Sequence, residues 1–202
     1  MSRPLVLAST SRYRRELLDR LEVPYVAAAP DFDERAEDER FAALGPAVFA
    51  CHLARGKAAS LRGARPDAWI LAADQLAVVD EGGATHLLHK PGDEEAAVAQ
   101  LLRLAGRTHE LVTGVVLLDA RSGERREAVD RQRLTMRGFG EAEARAYVLR
   151  HRPLDCAGSY RIEDAGIKLF ARIDGDDFTG IIGLPLLAVA GLLREVGLLP
   201  GP

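Results

Sequence analysis

Cysteine is scarce: there are two in 202 residues, Cys51 and Cys156, in unrelated contexts and without metal-ligand spacing. That argues against a disulfide framework or a cysteine-bound zinc and suits reduced thiols in a cytoplasmic protein. Long apolar runs are also missing, and none approaches the roughly 20 residues that a membrane-spanning helix needs. At the start, Arg3-Pro4 leads into a short apolar run that breaks at Ser9, which is not a signal-peptide pattern. No excess of one charge is present. The net charge is -3, so general nucleic-acid electrostatics are not implied and any basic feature must be local. Repeats and low-complexity linkers are absent. What remains is an ordinary globular composition, 48% hydrophobic and 28% charged, long enough for one large domain or a domain with a small lobe.

The most informative stretch is Leu5 to Leu18. An apolar strand, Leu5 to Ala8, runs into Ser9-Thr10-Ser11, and a helix then opens on Arg12, Arg14 and Arg15. Ser11 is a natural N-cap. The free amides and positive dipole end of that helix suit an anion, above all a phosphate. Arginine forks match phosphate oxygens, and cations are otherwise misplaced at a helix start. A solvated basic turn is the plainer alternative. Tyr25 to Ala29 reads as a second strand. Pro30-Asp31-Phe32-Asp33-Glu34 follows, a turn dense in carboxylates that is either solvated or able to hold a hard divalent cation.

Pro46 opens a helix running to about Leu61, with Ala50, Ala54, Lys57 and Leu61 on one stripe. Lys57 is a charge on an otherwise small, apolar face, either snorkelling or aimed at a bound anion. Trp69 to Ala73 is the best buried strand. It meets Asp74-Gln75 and resumes as Leu76 to Val79. A carboxylate in such a run is costly unless paired or bound to metal, so Asp74 is the first choice for a catalytic group. The competing reading makes it a strand-end acid capping a turn.

Glu81-Gly82-Gly83 is a hairpin turn. Lys90-Pro91 is an extended dipeptide that could present its ammonium to a phosphate, and Asp93 caps a helix from Glu94 to Leu104. Thr108–Leu118 and Glu124–Leu134 form an antiparallel pair joined by Arg121-Ser122-Gly123. Glu141 to Leu149 is a short helix closed by Arg152-Pro153. Ile167 to Ile173 and Thr179 to Ile182 read as strands, and Gly183-Leu184-Pro185 starts a terminal helix reaching about Val196. Glu163, in a loop beside several glycines, either caps local amides or reads a base edge. His86 and His89 have no partnering carboxylate pattern.

Taken together, Leu7-Ala8-Ser9-Thr10-Ser11 with Arg14-Arg15, Asp33-Glu34, Lys57, Ala73-Asp74-Gln75, Lys90-Pro91 and Gly183-Leu184-Pro185 resemble the Maf nucleotide pyrophosphatases over almost the whole chain. The resemblance implies an α/β fold related to the inosine triphosphate pyrophosphatases, with a mixed twisted sheet flanked by helices in a single domain of two lobes around a central cleft. It also implies a divalent metal, Mg2+ or Mn2+, and hydrolysis of a nucleoside triphosphate to the monophosphate and pyrophosphate. The stretch from Pro153 to Glu163 is similar to the 7-methyl-GTP pyrophosphatase subfamily, and Tyr13, Gln75 and Glu163 match its specificity positions. By that resemblance Asp74 is the catalytic base and Glu34 and Asp74 hold the metal. Ser9, Ser11, Arg14, Arg15, Lys57 and Lys90 bind phosphates.

The chemistry fits. Guanine offers N1–H and its exocyclic amine to a carboxylate such as Glu163. N7 methylation makes the base cationic and favours stacking on Tyr13. A pyrimidine gives that carboxylate one donor and clashing acceptors. The chain departs from the pattern at Ala73, His89 and Asp164, the last adding a negative charge beside Glu163. Rival expectations are the same chemistry on dTTP or UTP, and a nucleotide-binding regulator of cell division and septum formation. The expected partner is a nucleotide, not nucleic acid or membrane, and the chain is compatible with either a monomer or a homodimer.

Overall fold

A computed structural model describes residues 3–199 of the chain. Seven strands form one mixed sheet flanked by helices, in the order β2-β1-β3-β5-β6-β7 with β4 paired to β3. The strands are β1 (Leu5–Ala8), β2 (Tyr25–Ala28), β3 (Trp69–Glu81), β4 (Ala84–Leu88), β5 (Thr108–Asp119), β6 (Arg125–Met136) and β7 (Phe170–Asp174). The helices are α1 (Arg12–Asp19), α2 (Phe41–Ser60), α3 (Glu94–Leu104), α4 (Glu141–His151), α5 (Thr179–Ile182) and α6 (Leu186–Glu195), with 3-10 turns at Arg35–Arg40 and Gly166–Leu169. Two compact units make up the chain. The first comprises Met1–Gln75, Val112–Asp130 and Asp177–Pro202, and the second Leu76–Leu111 and Arg131–Asp176.

In the first unit β1 lies between β2 and β3 and is parallel to both. Strand periodicity of two sends alternate side chains to opposite faces. Leu5 and Leu7 of β1 and Trp69, Leu71 and Ala73 of β3 join Leu17 and Leu18 of α1 and Val189, Leu192 and Leu193 of α6 in one core cluster. Val6 and Ala8 with Ile70 and Ala72 join Ala54 and Ala58 of α2 in another. Both faces are therefore buried, which is why these strands read as unbroken apolar runs. The small residues of α2 let it lie very close to β5. A Cβ built on Gly114 would stand 2.4 Å from the Cys51 backbone nitrogen, so only glycine fits there.

In the second unit β3 and β4 form the hairpin expected at Gly82-Gly83, with Ala77 opposite Leu88. Asp93 caps α3, its Oδ1 accepting from Ala96 N at 2.8 Å. Helices α3 and α4 pack together. Buried His109 meets Tyr160, Nε2 to hydroxyl at 2.8 Å, with Phe170 against both rings.

Three local expectations are corrected. Strand β3 does not pause at Asp74-Gln75 but runs on to Glu81, so Asp74 is mid-strand and caps no turn. Residues Thr179–Ile182 form a helical turn, not a strand. Here Asp177 Oδ1 accepts from Thr179 N at 2.9 Å and Thr179 Oγ1 at 2.5 Å, a local cap that outweighs the β-branched character of the segment. Gly166–Leu169 winds as a 3-10 turn after Ala165, whose φ is +62°, so the strand expected from Ile167 starts only at Phe170. Elsewhere Pro46 follows a kink at Gly45 inside α2, and Pro185 sits at the N-cap of α6.

Candidate active site

Alternation along β3 decides what Asp74 faces. It shares the parity of Ile70 and Ala72, whose face is covered by α2. Lys57 lies on the buried stripe of α2 with Ala50, Ala54 and Ala58. The two side chains meet in the interior, Asp74 4% and Lys57 5% exposed. The Lys57 ammonium donates to Asp74 Oδ1 and also pairs with Glu34 Oε1 at 2.7 Å. Glu34 reaches it because its loop is seated on α2. The Phe32 ring lies over Gly56, where a Cβ would stand 2.2 Å from a ring carbon. Asp31 N also donates to Ser60 Oγ at 3.1 Å. The neighbouring acid has a different task, Asp33 Oδ1 accepting from Arg35 N and Ala36 N and so capping the 3-10 turn.

Burial is the largest influence on Asp74 and raises its pKa; the Lys57 charge opposes it, Glu34 adds to it and Arg14 opposes it, with a net rise. A carboxylate raised in this way is a better proton acceptor than one in water. Two carboxylate oxygens from separate segments thus converge on one cation. That donor set fits a hard divalent ion, which takes one or two carboxylates and fills its shell with waters and phosphates. Among the described residues no group of three or more His, Cys, Asp or Glu side chains is placed to hold a metal.

Gln75 has the opposite parity and belongs to the face that α1 and α6 cover. Its Nε2 donates to Gly180 O at 2.5 Å and to Thr113 Oγ1 at 3.2 Å. The carbonyl of Gly180 can only accept, so the amide nitrogen must face it, and Gln75 keeps its oxygen as an acceptor. At the start of α1, Ser9 Oγ accepts from Ser11 N at 3.1 Å, and Ser11 Oγ caps the helix by accepting from Arg14 N at 3.4 Å. Arg14 Nε donates to Gly183 O at 3.0 Å. Gly183 has a φ of +116°, a conformation that suits glycine. Arg14 is also close enough to act electrostatically on Asp74, whereas Arg15 is exposed and its backbone carbonyl accepts from the Tyr25 hydroxyl at 3.3 Å. Over Tyr13 lies the Arg12 guanidinium, 4.7 Å from the ring centre.

Lys90 and Glu163 are exposed residues of the second unit. Lys90 precedes Pro91 and Gly92, and Gly92 N donates to Leu154 O at 3.1 Å. Glu163 stands in the turn 162–165. Its neighbour Asp164 is paired with Arg161, Oδ2 to Nη1 at 3.2 Å. The extra negative charge beside Glu163 is thus partly neutralised within the turn. The structure therefore joins Glu34, Lys57 and Asp74 directly and ties Ser9 to Ser11. It also anchors Arg14 and Gln75 on the 180–183 segment, and Arg15 is not brought to either group. Sequence reasoning missed Phe32, Gly56, Thr113 and Gly180. Only Gly56 left a trace, as a glycine inside a helix beside a buried lysine.

Comparison with known proteins places these residues in context. The family model described as Maf-like protein matches residues 4–196. A protein of Chromohalobacter salexigens named 7-methyl-GTP pyrophosphatase is 43% identical over 198 residues, 97% of each chain. Proteins with the same name from Syntrophotalea carbinolica and Bdellovibrio bacteriovorus are 41% and 43% identical. The first pairing spans 96% of this chain and 94% of the relative, the second 96% and 97%. Among the described residues no helix is long and apolar enough to cross a membrane.

Proposed function

The chain belongs to the Maf family, and on that premise we propose that it is a nucleoside triphosphate pyrophosphatase that cleaves 7-methyl-GTP to 7-methyl-GMP and pyrophosphate. The observation that carries this reading is the buried Asp74 carboxylate held with Glu34 on the Lys57 ammonium. Such a group is too costly to bury for packing alone. Asp74 accepts the proton of the water that attacks the α-phosphorus. Lys57 keeps both carboxylates aligned and places positive charge beside the reacting phosphate. Arg14, anchored on Gly183, is the arginine of the first helix assigned to phosphate oxygens, with Ser9, Ser11 and the α1 amides beside it; Lys90 is assigned to phosphate as a further exposed cation. Glu34 and Asp74 would hold a divalent cation, Mg2+ or Mn2+, which when bound supplies charge neutralisation on the phosphates.

For the base, Tyr13 offers a face that already accepts a cation, since Arg12 lies over it. Gln75 Oε1 and the Glu163 carboxylate both accept, which matches the donor-rich edge of guanine and not that of uracil or thymine. Relatives bearing the 7-methyl-GTP pyrophosphatase name support the same choice. The protein then acts in the cytoplasm on free nucleotides, removing a modified triphosphate from the pool. Pyrophosphate release with added Mg2+ or Mn2+, with chelator, and from Asp74→Asn tests the mechanism. Turnover is expected only with metal and intact Asp74. Near-wild-type turnover by Asp74→Asn would overturn the assignment of the base.

A further inference from the structure

The turn that carries Glu163 is fastened at a single residue, Arg161. Arg161 O accepts from Asp164 N at 3.2 Å and Gly166 N at 3.0 Å, closing the turn over residues 162–165. A Cβ on Gly166 would stand 2.2 Å from that same oxygen, so the closure leaves no room for a side chain there. Helix α4 grips the backbone of this residue through Tyr147. The Tyr147 hydroxyl accepts from Arg161 N at 3.1 Å and donates to Arg161 O at 3.3 Å. The Arg161 side chain holds the other end of the clamp. Its Nη1 donates to His151 O and Asp164 Oδ2, both at 3.2 Å, and its Nη2 donates to Arg152 O at 3.5 Å and to the Asp155 carboxylate. Ile162 is buried and fixes the base of the turn, which leaves Glu163 exposed at its tip.

We propose that Tyr147 and Arg161 are positioning residues for base selection. They hold the 162–165 turn against the end of α4, so that the Glu163 carboxylate is presented in one orientation to the Watson–Crick edge of a purine. The proposal rests on the reading of Glu163 as the base acceptor. Neither residue touches the substrate. They act by removing alternative conformations of the turn, because a carboxylate on a loose loop must be ordered at the moment of binding.

The test uses the full-length protein with Mg2+ and compares 7-methyl-GTP with UTP. For Tyr147→Phe, which keeps the ring and loses both hydrogen bonds, kcat/KM for 7-methyl-GTP should fall about five- to tenfold relative to that for UTP, mostly through KM. Arg161→Lys keeps the charge and loses the fork, and should do the same. Glu163→Gln should lower the ratio at least as far, and adding Tyr147→Phe to it should change the ratio no further, since the two act through one carboxylate. If Glu163→Gln shifts the ratio and both clamp variants leave it at the wild-type value, or if the double variant shows additive losses, the clamp is refuted while the base reading stands. If Glu163→Gln itself leaves the ratio unchanged, the base reading fails and the clamp falls with it.

Discussion

At Asp74 a carboxylate is buried against the Lys57 ammonium, and two effects on stability and activity follow. The unfolded chain titrates this group at its ordinary value, and the folded chain titrates it higher because burial outweighs the attraction of Lys57. The folded form therefore binds the proton more tightly. Its contribution to stability is complete below the ordinary carboxylate value and is lost as pH rises through the raised folded value. Asp74→Asn removes the ionisation, so thermal unfolding of the variant should gain on the wild type between pH 4 and pH 8. A gain that shrank over that range would contradict the burial argument. Turnover of the same variant should fall by about 10²–10⁴-fold, the usual contribution of a positioned base. The buried, paired carboxylate was legible in the sequence because a lone acid inside an apolar strand has few structural excuses. Its partner was less so. Lys57 could be placed on a buried stripe, yet its tie to Glu34 depends on Phe32 lying on Gly56, a long-range contact that no local pattern encodes.

Among the elements, α2 and β5 control how the site is assembled. Gly114 allows the α2 backbone to approach β5, and a methyl group there would meet backbone atoms that cannot rotate away. Gly114→Ala should therefore destabilise the protein by about 1–3 kcal/mol or more. Since it would push α2 outward, it should also lower kcat by disturbing the Lys57–Asp74 pair. Denaturant unfolding and steady-state kinetics measure both. Asp93→Ala, at the start of α3 in the second unit, should cost about 1 kcal/mol with little change in kcat, as expected for a lost N-cap. Helix caps, hairpin turns and the apolar runs of β1, β3 and β5 were readable because each is set by nearby residues. The 179–182 segment was misread because its shape is set by Asp177, whose Oδ1 binds Thr179 and whose Oδ2 accepts from Leu187 N at 2.7 Å. Propensity alone favoured a strand there.

On the scale of the whole chain, two buried polar groups shape the acid side of the stability curve. Burial pushes His109 down to about 4, with one ring nitrogen on Tyr160 and Nδ1 lacking a hydrogen-bond partner. The unfolded chain binds this proton more readily, so stability is full above the ordinary histidine value and is lost as pH falls toward 4, by an amount on the order of 3 kcal/mol. Asp119 is held well below the usual carboxylate range by the Arg3 fork, with oxygens 2.7 and 2.6 Å from the guanidinium nitrogens. Its contribution is present above that range and fails only in stronger acid. Calorimetric unfolding from pH 7 to pH 4 should show a steep loss for the wild type and a shallower one for His109→Gln. Equal slopes would contradict the assignment of His109.

The central claim is that the Lys57–Asp74–Glu34 group hydrolyses a triphosphate selected by Tyr13, Gln75 and Glu163. It is tested most directly by kcat/KM for pyrophosphate release from 7-methyl-GTP, GTP, dTTP, UTP and CTP with Mg2+ or Mn2+. The predicted result is a clear preference for 7-methyl-GTP, with GTP next and the pyrimidines last. Preference for dTTP or UTP would contradict the base reading, and turnover of none by folded protein that still binds them would contradict the catalytic one.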